Sequence, residues 1–137
     1  MNVNSNAGKG WSIALWAAQL LLAAAYGLFG SMKATQPLDQ LAGMMKWIPD
    51  FPPLFVRTLG VVEVLGAIGL ILPSLTRIYP RLTVVAALCI LIHQFCAVAL
   101  HLSKGEANVL GLNAVLIALA AFIFWGRRNK AVIAPMA

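Results

Sequence analysis

Four long apolar segments dominate the sequence and limit what the chain can fold into. They lie near residues 11–32, 54–72, 82–102 and 108–125. Each is close to the roughly 20 helical residues needed to cross a hydrocarbon core of about 30 Å. Of the 137 residues, 61% are hydrophobic and 10% are charged, which leaves too little polar surface for a soluble domain. The sequence therefore predicts an all-α integral membrane four-helix bundle, a single transmembrane domain over residues 1–137.

The first apolar segment has two interpretations, a cleaved signal peptide or a retained helix. A signal peptide combines a basic amino-terminal region with a short apolar run. Here the apolar run is long, and Lys9 is the only basic side chain before it. We therefore expect this segment to remain as the first transmembrane helix.

The distribution of Lys and Arg predicts the orientation in the membrane. Four helices joined by three loops leave both termini on one side. Six basic residues lie on that side and four on the other: Lys9, Arg77, Arg81, Arg127, Arg128 and Lys130 against Lys33, Lys46, Arg57 and Lys104. Because cytoplasmic loops are enriched in positive charge, both termini are expected in the cytoplasm of a cell, with a bacterial inner membrane as the expected location.

The basic residues do not form a nucleic-acid site. The net charge is +6, but these residues stand singly or in pairs at the edges of apolar runs instead of forming one stripe. We therefore expect membrane lipid as the surroundings and no nucleic-acid partner.

The outer loop, residues 33–53, is the largest predicted segment outside the membrane. Residues 37–48 have two interpretations. They form either a short amphipathic helix on the outer interface, with Trp47 at the level of the lipid headgroups, or an irregular connector. The sequence leaves both open.

Glu63 is the one acidic residue inside an apolar segment, and it is the candidate catalytic residue. Gly60 and Ala67 share its helix face, and such small residues let another helix approach closely. We therefore expect this face to look into the bundle. A charged carboxylate in the membrane interior is costly, so it must be protonated, paired or hydrated. That requirement is compatible with a chemical role for Glu63 and equally with a role in helix packing.

Polar groups of three helices fall at similar depths. With a rise of about 1.5 Å per residue, Tyr26, Glu63 and His93 lie about 10, 13 and 12 Å below the outer boundary. Above them, Lys33, Arg57 and His101 are expected to form a cationic layer. The sequence thus predicts a polar pocket that opens outward between the first three helices, with the fourth helix as scaffold. The candidate ligand-binding residues are Lys33, Arg57, His101, Tyr26 and His93.

Each of these residues also has a plainer interpretation. Arg57 precedes Glu63 by six residues, so the two side chains point about 120° apart, and Lys33 or His93 is a better partner for the acid. His93 is as consistent with an interhelical hydrogen bond as with a ligand or proton-relay role. Lys33, Arg57 and His101 are also consistent with anchors that extend to the membrane surface.

The segment Cys89-x-x-x-His93-x-x-Cys96 is not predicted to bind a metal. Its two thiols are seven residues apart on one helix, about 10 Å along the axis. That separation is too long for a disulfide or for shared coordination of one ion. A haem held by two histidines is also disfavoured, because His93 and His101 belong to the same helix.

The order of several motifs resembles the DoxX-like family of small four-helix membrane proteins. These motifs are "AAYGLFGSMKA", "FVRTLGVVEVLGAIGLILP", "RLTVVAALCILIHQFCAVALHLSKGE" and the closing "FWGRR". The resemblance extends from about Trp11 to Arg128. It implies a four-helix membrane fold in which Lys33, Arg57, Glu63 and His101 are the characteristic polar residues.

Three functions remain in view from this resemblance and from the pocket. The first is an accessory subunit of a quinone-linked redox complex, with a quinone as the ligand and electrons supplied by a partner protein, since the chain has no cofactor motif of its own. The second is a non-enzymatic assembly or partner-binding protein, acting with a partner or as a homo-oligomer. The third is a small proton-coupled transporter, which the absence of an internal repeat disfavours.

Overall fold

The computed structural model describes residues 3–136, with side chains described from residue 8 onward. Five α-helices follow one another along the chain, and two short 3-10 turns interrupt the connections. The helices are α1 (Val3–Thr35), α2 (Leu38–Met44), α3 (Pro53–Thr76), α4 (Arg81–Ser103) and α5 (Leu110–Asn129), and the turns are Ile48–Asp50 and Ala107–Val109. No strand occurs in residues 3–136.

Four of the helices are long and apolar enough to cross a membrane. The spans are Gly8–Thr35, Pro53–Thr76, Arg81–Ser103 and Ala107–Asn129. Large apolar side chains such as Leu65, Ile92 and Val115 are exposed on their outer faces, as expected for helices in contact with lipid. The predicted all-α membrane bundle is confirmed.

The helix bounds differ from the prediction at Pro73. The sequence predicted that the second apolar helix ends at Leu72, whereas α3 continues to Thr76. Proline removes one hydrogen bond from a helix, and here it does so in the last turn, where few bonds depend on it. Leu70 and Ser74 are buried on either side, so packing in the bundle holds this turn.

Two glycines set the distance between α1 and α3. A Cβ atom placed on Gly60 would lie 2.6 Å from the carbonyl oxygen of Gly30, and one placed on Gly30 would lie 2.8 Å from the Cβ of Glu63. The backbones therefore touch at this level, which only residues without a side chain allow. This contact places Glu63 directly against α1.

The bundle has two distinct ends. The loop end carries α2 and the turn Ile48–Asp50. The termini end carries the C-terminal ends of α3 and α5 and the N-terminal end of α4. Between them lies an apolar layer of fully or nearly fully buried side chains: Leu22, Leu70, Ala87, Ile90, Leu116 and Ala120.

The segment between α1 and α3 folds over the loop end. Of the two interpretations of residues 37–48, the short helix is the one that forms, as α2, and Leu41 is its buried residue. Trp47 is 6% exposed, so its ring packs against protein. Its ring packs edge-on against Phe51, with the centroids 5.6 Å apart, and this contact draws it inward.

Candidate functional site: a polar chain beneath a cavity at the loop end

A half-open cavity of about 460 Å³ lies at the loop end of the bundle. This volume falls in the range of small-molecule pockets. We call it the loop-end cavity. All four spanning helices and the segment 44–47 contribute to its walls. Its polar lining includes Tyr26, Lys33, Glu63, His93, Gln94, His101, Glu106 and Asn113, and its apolar lining includes Phe29, Met44, Trp47, Phe51, Phe55, Leu59, Cys96 and Leu116.

Glu63 is paired with Lys33 beside the cavity. The Lys33 Nζ donates hydrogen bonds to both carboxylate oxygens, each at 2.8 Å. Glu63 is 5% and Lys33 7% exposed. The expected partnership of the acid with a basic group of another helix is therefore present. The Gly30 and Gly60 contact explains it, because it brings the two backbones close enough for the lysine stem to reach along the helix to the acid.

His93 lies between Glu63 and Tyr26. Its Nε2 is 3.6 Å from the Glu63 Oε1, and its Nδ1 is 2.8 Å from the Tyr26 hydroxyl oxygen. The two rings meet edge-on, with centroids 5.6 Å apart. The two nitrogens of one imidazole thus connect α1 to α3, and the depths predicted for these three residues correspond to real proximity.

Two amide side chains extend this arrangement to α5. The Gln94 Nε2 donates to the Tyr26 hydroxyl at 2.5 Å, and the Asn113 Nδ2 donates to the Gln94 Oε1 at 2.8 Å. The pocket was predicted between the first three helices, but Asn113 and Leu116 of α5 line it as well. Asn113 is 7% exposed and has its partner on another helix, a relationship that spacing within one segment does not reveal.

The hydrogen bonds of Asn113, Gln94 and Tyr26 can all run in one direction, toward His93. Because the Tyr26 hydroxyl accepts from Gln94, its own hydrogen is free to donate to the His93 Nδ1. A neutral His93 then carries its hydrogen on Nε2, the atom that faces Glu63. Lys33 donates to the carboxylate, and the His93 Nε2 lies 3.6 Å from it on the other side. We call this set of side chains the polar chain: Asn113, Gln94, Tyr26, His93, Glu63 and Lys33.

Arg57 and His101 do not join Lys33 in one cationic layer. The Arg57 Nη1 donates to the carbonyl oxygens of Lys33 at 2.9 Å and Gln36 at 2.6 Å, so it satisfies the free carbonyls at the end of α1. His101 lines the cavity mouth, with its Nδ1 2.6 Å from the Glu106 Oε2. Lys33 and His101 line the loop-end cavity, whereas Arg57 is not among its lining residues.

The two cysteines face outward from α4. Both Cys89 and Cys96 are exposed free thiols, and Cys96 also lines the cavity. Within the part of the chain described, His, Cys, Asp and Glu do not gather in groups of three or more that would hold a metal ion.

A second buried polar group, the Arg127 cluster, lies at the termini end. Gln19 donates to the Leu70 carbonyl oxygen at 2.5 Å and accepts from the Arg127 Nε at 2.6 Å. Ser74 and Thr83 complete the cluster, with their hydroxyl oxygens 2.7 Å apart. In the sequence Arg127 resembles a surface anchor at the end of an apolar run, so its burial was not predicted.

Comparison with known proteins agrees with this architecture. Neither the curated proteins nor the solved structures include a significant match. The model of the DoxX-like family (DoxX_2) matches residues 17–123, which contain the whole polar chain. Since this match covers most of the sequence, the protein belongs to the DoxX-like family.

Proposed function

We propose that the protein is an accessory subunit of a quinone-linked redox complex in a bacterial inner membrane, with both termini in the cytoplasm. In this proposal the loop-end cavity holds the headgroup of a quinone, and Glu63 exchanges the proton that accompanies electron transfer. The observation that carries the proposal is the polar chain, which leads to a buried carboxylate, paired with Lys33, at a cavity wall.

The chemistry of the cavity suits such a ligand. A quinone headgroup is a flat apolar ring with two carbonyl oxygens that accept hydrogen bonds. Aromatic and methionine side chains supply apolar walls, and Lys33 and His93 supply donors at the deep end. Reduction of a quinone takes up two electrons and two protons. The chain contributes proton-carrying groups, and a partner protein contributes the electrons.

Glu63 is the residue suited to proton exchange. Its carboxylate is held by Lys33 Nζ on one side, and His93 Nε2 lies on the other. A carboxylate in this position can accept a proton from a bound quinol or return one to a reduced quinone. His93 and Tyr26 keep the donors oriented while the charge on the acid changes.

A binding titration tests the proposal. Trp47 lines the cavity, so a short-chain soluble quinone is expected to quench its fluorescence in detergent. Glu63→Gln should remain folded and weaken binding about tenfold, because the carboxylate holds Lys33 and orients His93. Asp39→Asn makes the same charge change on the exposed face of α2 and should bind as the native protein does. Quenching that persists in Trp47→Phe, or equal behaviour of both acid variants, contradicts the proposal.

A second candidate function is a non-enzymatic assembly protein. The observation that favours it is the position of the Lys33 and Glu63 pair, next to the closest approach of α1 and α3. A charge swap, Lys33→Glu with Glu63→Lys, separates the two functions. A purely structural pair should recover expression and oligomeric state in the swapped protein. In a proton-exchange site the swap should restore folding and leave quinone binding lost.

A further inference from the structure

Arg127 is a buried cation whose hydrogen bonds are incomplete. It is 4% exposed and lies near the end of α5. Its Nε donates to Gln19 at 2.6 Å, and its Nη1 donates to the Ala131 carbonyl oxygen at 3.2 Å. Its Nη2 is buried and has no acceptor among the protein atoms described. One edge of the guanidinium is thus left with an unsatisfied donor.

Such a donor calls for a further acceptor. A buried hydrogen-bonding group without a partner destabilises the folded protein, and a charged one does so more strongly. Arginine does not escape this cost by losing its proton. The indole of Trp16 covers one side of the guanidinium, with its centroid 5.3 Å from the Arg127 Cζ, so that face is closed to an acceptor.

A small cavity adjoins this arginine. Its volume is about 20 Å³, and its walls are formed by Pro80, Arg81, Val84, Arg127, Val132 and Ile133. This is room for one water-sized group, hence for one oxygen atom of a larger anion that remains outside. Two arginines at one small cavity favour an anionic oxygen over a neutral one, because both guanidiniums then gain a charge-assisted bond.

The position of the cavity suits a phosphate group. Arg81 opens α4, and Arg127 lies in the last turn of α5, so the cavity sits at the rim of the termini end. Trp11 and Trp125 pack against each other nearby on the same end, with Lys130 Nζ over both rings. Tryptophans and basic residues mark the membrane interface, where phosphate groups of lipids lie.

We propose that Arg81 and Arg127 form a site for a phosphate oxygen at the termini end of the bundle, separate from the loop-end cavity. The shared chemistry of its ligands is a phosphate ester or free phosphate. One oxygen enters the small cavity that both arginines line. This inference does not depend on the proposed redox function.

Native mass spectrometry and thermal unfolding test the site. The protein is delipidated in detergent and offered either phosphatidylglycerol or inorganic phosphate. Arg81→Gln removes one ligand without touching the bonds from Arg127 to Gln19 and Ala131. Arg128→Gln is the matched control, because it makes the same charge change at the residue next to Arg127. The Arg128 side chain is exposed and lies over the ring of Phe124.

The possible outcomes distinguish a lipid phosphate from free phosphate, and both from the absence of a site. Retention of one lipid per chain that falls about tenfold in Arg81→Gln but not in Arg128→Gln supports a lipid phosphate. A rise in unfolding temperature with inorganic phosphate alone, lost in the same variant, supports free phosphate. Equal loss in both variants points to general surface charge and overturns the site, as does an absence of binding in the native protein. Arg127→Gln should show the same loss of binding. If Arg127→Gln does not fold, the result with Arg81→Gln decides alone.

Discussion

Gly60 packs its backbone against Gly30 so closely that a Cβ on either residue would meet backbone atoms of the other helix at less than 3 Å. The same level of the bundle carries the ion pair between Lys33 and Glu63. A change in the distance between α1 and α3 therefore acts directly on the candidate site.

Gly60→Ala is expected to destabilise the bundle and to separate the ion pair. The added methyl would lie 2.6 Å from both the Ala34 nitrogen and the Gly30 carbonyl oxygen, and backbone atoms cannot move aside cheaply. Overpacking of this kind costs about 1–3 kcal/mol. Thermal unfolding in detergent measures the effect. Gly27→Ala, where the new methyl would have an ordinary contact of 3.9 Å with Ala67, should change little.

Lys33→Met should cost more stability than the double variant Lys33→Met with Glu63→Gln. The single change leaves a buried carboxylate without its cation, a loss of about 3–5 kcal/mol, whereas the double change also removes the charge. Unfolding of both variants and of Glu63→Gln completes a double-mutant cycle. Additive effects would show that the pair contributes no coupling energy and would contradict its assigned role.

Tyr26→Phe interrupts the polar chain at its centre. The variant removes the acceptor of Gln94 and the donor to His93 in one step, at a cost of about 1–3 kcal/mol. Under the proposed function it also weakens quinone binding, because His93 is no longer oriented. Tyr79→Phe removes a hydroxyl from a side chain that is 77% exposed and serves as the control for both measurements.

A ligand in the loop-end cavity should protect Cys96 from alkylation. Both cysteines are exposed, but only Cys96 is among the residues that line this cavity. A short-chain quinone at saturating concentration is therefore expected to slow N-ethylmaleimide labelling of Cys96 and to leave Cys89 unchanged. Peptide mass mapping reads the two thiols separately. Equal protection of both would indicate a general effect of the quinone on the detergent micelle.

The fold was predictable because the membrane leaves few alternatives. Long apolar runs must become helices, since backbone groups in lipid have no other partners. The inward position of Glu63 followed from Gly60 and Ala67 on its face. Tyr26 and His93 were placed at its depth by counting residues, and that sufficed because each projects from a straight helix toward the same interior.

The remaining features depend on relations that no single segment contains. Lys33 reaches down from the end of α1 to Glu63 because its stem is long, so a depth read from its Cα is misleading. Arg57 instead turns to the carbonyl groups that every helix leaves free at its end. Asn113 has its hydrogen-bond partner, Gln94, on α4, and Arg127 has its partner, Gln19, on α1.

The apolar layer separates the polar chain from the Arg127 cluster by side chains that form no hydrogen bonds. Leu22, Leu70, Ile90 and Leu116 offer no group that would pass a proton from one end to the other. Under the proposed function, a proton that reaches Glu63 from the loop end would therefore have to leave by the same entrance. Proton exchange at Glu63 would then involve one side of the membrane only and would not dissipate the voltage across it.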